Sequence, residues 1–143
     1  MLFRSRDAAQ GAHPYFVPPE HTEIARTVLG QGPLLAPEQM VILDSNPETA
    51  RGLARRDMAR YLALPNYANN LRRLGYTEED LGGPSDRLID AIVVWGDEDA
   101  IIARVKAHLD AGADHVCVQH LLQDRTVLPL AEWHRLADAL RSL

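Results

Sequence analysis

The sequence predicts an α/β fold with parallel strands, and three observations carry that prediction. First, residues 95–119, WGDEDAIIARVKAHLDAGADHVCVQ, read as a helix, a stop and a strand in succession. Second, the same alternation of amphipathic helix and short apolar run recurs twice earlier in the chain. Third, the apolar runs are short and unbroken rather than alternating, as strands covered by helices on both faces are.

In the 95–119 stretch Asp97 is the expected N-cap. Glu98 and Asp99 place negative charge at the positive end of the helix, and Ile101, Ile102, Val105 and Leu109 recur at helical spacing. Gly112 is the expected left-handed stop, and Val116-Cys117-Val118 the strand behind it. Earlier, residues 1–10 are polar and uncapped and read at best as the tail of a helix. Leu2-Phe3-Arg4-Ser5 match the translation of a common sequencing adapter and are read as foreign to the native chain. Residues 11–17, GAHPYFV, predict a short strand that Pro14 confines to an edge or an early exit. Residues 20–29 predict a helix through Ile24, Val28 and Leu29, stopped by Gly30.

A second strand is expected within 34–44, most clearly at 40–43. Asp44, Ser45 or Asn46 then caps a long helix with Pro47 in its first turn, built on Leu53, Met58, Tyr61 and Leu62 and broken at Leu64-Pro65. Over 65–96 the chain delays its next strand. Helical pieces are expected at 66–74 and 85–95, separated by a turn-rich 75–84, and insertions on βα connections are where substrate-covering structure is usually found. The last helix is expected from residue 129 or 130 to about 141 on Leu130, Trp133, Leu136, Ala137 and Leu140. The count is three strands, too few to close a barrel of eight.

Length and composition bound the function. The 143 residues, 46% of them hydrophobic, suit one domain with a real core. A formal charge of −5 argues against nucleic acid and anionic membrane as partners. The arginines of 51–60 read as the solvated face of a helix rather than a phosphate patch. One cysteine, Cys117, excludes an internal disulfide and reads as a small hydrophobe in a strand. No stretch approaches the length of a membrane span and no signal-peptide core is present, so a cytoplasmic setting is the expectation. The scattered His21, His108, His115 and His134 make no metal-binding spacing.

The segments GAHPYFVPPEHT (11–22), LLAPEQ (34–39), YLALPNYANNLRRLGYTEEDL (61–81), SDRLIDAIVVWGDEDAI (85–101) and HLDAGADHVCVQ (108–119) resemble the C-terminal part of the luciferase-like monooxygenase family. More narrowly, they are similar to its coenzyme F420-dependent oxidoreductases. The resemblance implies that residues 1–143 are a partial domain: the C-terminal portion, about three βα units, of a (β/α)8 TIM barrel, roughly strands six to eight with an insertion over 65–96. It implies hydride transfer between coenzyme F420, or alternatively FMN, and a small organic substrate. The first five strands, and a phosphate-holding turn expected before Met1, lie outside this sequence. In such barrels functional side chains stand where strands end. His13 is then the candidate catalytic residue, by proton transfer, against the plainer reading of a histidine satisfied by backbone. Tyr15, Phe16, Asn66, Tyr67, Asn70, Gln119 and His120 are candidate substrate-binding residues, with Asn69 and Arg73 beside them; packing, capping and surface polarity compete for each. Two rival readings stand against an enzyme fragment. One is an inert, self-associating half-barrel. The other is a free-standing flavodoxin-like sheet, against which the Pro18-Pro19-Glu20 loop argues because a phosphate loop there calls for Gly, Ser or Thr.

Overall fold

A computed structural model of the chain describes residue 5, residues 7–141 and residue 143. Leu2, Phe3 and Arg4 of the adapter-like stretch therefore lie outside the described residues. The elements run β1 (Gly11–Ala12), α1 (Pro19–Leu29), β2 (Leu34–Leu35), β3 (Glu38–Ile42), α2 (Pro47–Leu62), α3 (Pro65–Arg73), α4 (Glu78–Gly82), α5 (Asp86–Ile92), β4 (Val93–Trp95), α6 (Glu98–Asp110), β5 (Cys117–His120) and α7 (Leu130–Leu140). Every strand pair is parallel, so the α/β expectation holds.

The helices start where their caps dictate. The Asn46 side chain accepts hydrogen bonds from the N–H groups of Glu48 and Thr49 with Pro47 at the first turn of α2, and Asp97 accepts from Ala100 N–H at the start of α6. Gly112, at φ 98°, takes the left-handed position after α6. A Cβ there would also lie 2.8 Å from Cγ of Arg26, so close packing adds to the demand for glycine. Three expectations need correction. Residues 85–95 are not one helix: α5 ends at Ile92 and Val93–Trp95 is a strand, because Val93, Val94 and Trp95 gain more by pairing with Met40, Val41 and Ile42 than by extending a helix. The turn-rich 75–84 contains α4, started by a reciprocal capping box between Thr77 and Asp80. The strand expected over 11–17 is only two residues long, and the described strands number five, not three.

Strand β3 is central in the order β4-β3-β5, and all five of its residues are buried. Strand β1 pairs with β2, and the bonds from Ala36 N–H to Ala12 and from Glu38 N–H to Pro14 carry that pairing into β3. The backbone hydrogen-bonding groups of even-numbered residues in the 34–42 run thus point to β1 and then β4, while those of odd-numbered ones point to β5. Met40 and Ile42 pack with Ala50, Leu53 and Met58 of α2, with Leu71 of α3 and with Leu88 and Ile89 of α5. Val41 and Val94 pack on the opposite face with Ile101 and Val105 of α6 and Leu136 of α7. Helices on both faces satisfy the rule that parallel sheets are covered twice. The arginines of α2 are not all solvated: Arg51 pairs with Asp90 and Asp86, and Arg55 with Asp86, which ties α2 to α5. Cys117 is half-buried rather than buried, since β5 is an edge strand among the described residues. No helix of these residues is long and apolar enough to cross a membrane.

Candidate functional site

At its C-terminal end β1 runs into Pro14 and turns sharply. Phe16 takes a left-handed backbone (φ 60°), uncommon for a bulky residue and a local strain. Packing and one hydrogen bond hold it there. Its ring, 1% exposed, stacks on Tyr61 of α2 at 5.0 Å and meets the edge of Tyr67 of α3 at 5.6 Å. Its N–H donates to Oε2 of Glu38 at 3.3 Å. Glu38 is a carboxyl in the core, 4% exposed, whose Oε1 has no hydrogen-bond partner among the described residues. Burial pushes its pKa up to about 7, with the Phe16 N–H pulling the other way.

The turn at Phe16 throws Tyr15 toward the helices. Its hydroxyl donates to Oε1 of Gln119 at 2.6 Å and lies 2.8 Å from the Tyr61 hydroxyl, so Tyr61 donates to Tyr15. Burial first, and then Tyr61, push the Tyr15 phenol up, which keeps it neutral and a donor. Gln119 on β5 is thereby joined to the exit of β1 across the sheet.

Between that exit and α3 lies a cleft of about 350 Å³. Ala12, His13, Pro14, Tyr15, Val17 and the buried His21 form one wall. Asn66, Tyr67, Asn69, Asn70 and Arg73 of α3 form the other. Helix α3 begins with Pro65 in its first turn and ends with Arg72 and Arg73 at its negative pole, so its amides and its last arginine line one side of the opening. His13 turns its Nδ1 to the carbonyl oxygen of Ala36 at 2.5 Å, the backbone-satisfied arrangement, while its ring lies 6.3 Å from that of Tyr15.

Of the residues singled out in the sequence, His13, Tyr15, Asn66, Tyr67 and Asn70 thus line one cleft. Phe16 lies beneath it as a buried support, and Gln119 touches it through Tyr15. His120 does not belong to it. Alternation along β5 puts His120 on the same face as Val116 and Val118, where it senses Glu132 and Arg135 of α7. Glu38, Tyr61 and His21 also belong here: Tyr61 is expected from the sequence only as helix packing, His21 only as one of the scattered histidines, and Glu38 is not singled out. A glutamate beside Gln39 at the start of a strand gives no local sign that its side chain points inward. Among the described residues no group of three or more His, Cys, Asp or Glu side chains stands ready for a metal ion.

No family model matches the chain, and no curated protein sequence matches it. Among solved structures it is similar to the coenzyme F420 dependent tetrahydromethanopterin reductase from Methanopyrus kandleri, with a TM-score of 0.63 and 20% identity. The match covers 84% of this chain and 42% of that one, so the chain spans less than half the length of this neighbour. At that identity the likeness bears on the fold alone, α/β with parallel strands.

Proposed function

We propose that this chain is a fragment of a luciferase-like oxidoreductase, the C-terminal portion of a (β/α)8 barrel, that acts in the cytoplasm on a small organic substrate. The hydride carrier in this reading is coenzyme F420, with FMN as the alternative. The observation that carries it is the cleft at the C-terminal end of β1, roofed by an inserted helix, in a chain whose fold resembles an F420-dependent reductase.

The cleft's 350 Å³ is at the low end of the roughly 300–1,000 Å³ that drug-sized ligands occupy. It suits a substrate or the ring portion of a deazaflavin. The whole cofactor with its phosphate-bearing tail does not fit the described residues, since those that line the cleft include one arginine and no glycine-rich phosphate loop, and Glu20 stands in the first turn of α1. Hydride chemistry belongs to the carrier; this chain contributes binding and orientation.

A titration tests the reading. Added to coenzyme F420, the purified chain should change its absorbance or fluorescence saturably, with a half-point of roughly 10–100 μM because the tail goes unheld. A change with FMN instead would settle the carrier in its favour. If neither spectrum changes, the oxidoreductase reading falls. The second reading, an inert module that self-associates, would then take its place. It is favoured by the edge of β5 that no described strand pairs with and by Val127, Leu128, Leu130 and Trp133, exposed on the segment that follows it.

A further inference from the structure

We infer that the cleft between the β1 exit and α3 selects an organic carboxylate, with Arg73 as its counter-charge. The inference rests on the reading of this cleft as the ligand-binding side of the site and adds to it the class of ligand. The chain carries 20 Asp and Glu residues and a formal charge of −5, yet none of the described residues lining the cleft is acidic. With Arg73 among them, the described lining residues carry a net positive charge.

Arg73 differs from the other arginines around it. Arg72 is held by Glu78 at 2.5 and 2.9 Å and by Asn69, Arg87 by Asp80, and Arg51 and Arg55 by Asp86 and Asp90. Arg73 makes no ion pair with any described residue and stands at the rim of the cleft. A guanidinium fork without a carboxylate in its own chain is suited to take one from a ligand. Asn66 and Asn70 bring amide groups to the same wall, and His21 brings a buried ring whose Nδ1 has no hydrogen-bond partner among the described residues. Ala12, Pro14, Val17 and the Tyr67 ring supply the apolar surface for the rest of the molecule. The charge supply decides between anions. Among the described residues that line the cleft one is an arginine, and, placed at the negative end of α3, it balances a carboxylate monoanion; a phosphate dianion calls for more donors than these residues provide.

The probes are 2-naphthoate, its amide and 2-naphthyl phosphate, followed by their own fluorescence against the intact chain. Naphthoate should bind at least about tenfold tighter than the uncharged amide, a charge-assisted contact at a partly exposed site. That preference should vanish in Arg73→Gln, persist in part in Arg73→Lys, and be unchanged in Arg72→Gln. Arg73 is exposed, so its variants keep the fold. Equal binding of acid and amide overturns the inference, as do a preference that survives Arg73→Gln, tighter binding of the phosphate, and no naphthoate binding at millimolar concentration. Failure here is distinguishable from failure of the oxidoreductase reading. A chain that perturbs coenzyme F420 but ignores the carboxylate keeps its function and loses this specificity; one that selects the carboxylate but leaves F420 and FMN untouched does the reverse.

Discussion

Replacing Glu38 by glutamine should stabilise the fold by about 3 kcal/mol at pH 8 and leave it unchanged at pH 4. The folded-state pKa, near 7, stands above an unfolded value of 4.5, so the folded chain binds the extra proton between these limits. Stability therefore falls as pH rises from about 4.5 to about 7, and above 7 the ionised carboxylate carries its full burial cost. Glutamine keeps an oxygen for the Phe16 N–H and has no charge to bury, so its advantage should grow over that pH window and then level off. Urea unfolding of both proteins between pH 4 and 8 reads this directly. Parallel curves at every pH would mean that Glu38 has a neutralising partner. The same variant should leave the left-handed turn at Phe16, and with it the placement of Tyr15, intact.

Arg26→Ala should cost roughly 2 kcal/mol, because it strips four acceptors at once, two of them half-buried. The Arg26 side chain, 14% exposed, donates from Nε to the carbonyl oxygen of Gly112, from Nη1 to those of Gly30 and Pro33, and from Nη2 to Asp114 at 2.6 Å. The same Asp114 oxygen accepts from Leu35 N–H, and the Asp114 N–H donates to Leu35 O. One guanidinium thus fastens the end of α1, the entry to β2 and the turn between α6 and β5. Lysine reaches one of these points but cannot fork among four, so Arg26→Lys should recover less than half of the loss in a thermal or urea melt. A loss below 1 kcal/mol for the alanine variant would show the corner to be held by packing alone.

What could be read in the sequence follows the range of the forces involved. Caps act over three residues, so the starts of α2 at Asn46 and α6 at Asp97 were legible, and so was the glycine stop at 112. Strand β4 was not: Ile89 and Ile92 continue a helical stripe into Val93, and only the presence of Met40 and Ile42 alongside turns those residues into a strand. The same limit applies to the site. The expectation that strand exits and inserted helices supply the functional side chains brought His13, Tyr15, Asn66, Tyr67 and Asn70 to one cleft. It failed for His120, because the face a strand residue occupies depends on a register that no local pattern records. Glu38 and the long-range half of the Arg26 contacts stayed invisible for a like reason: Phe16 lies 22 residues from Glu38, and Gly112 and Asp114 lie 86 and 88 residues from Arg26.

The placement of the ligand can be tested most directly by following backbone amide resonances of the isotopically labelled chain as coenzyme F420 is added. The account predicts shifts concentrated at Ala12, His13, Tyr15 and the α3 residues Asn66, Tyr67, Asn70 and Arg73, with none at Val118, His120 or Trp133 on the far flank. Shifts that gather instead along β5 and α7, or a spectrum unchanged throughout, would contradict it.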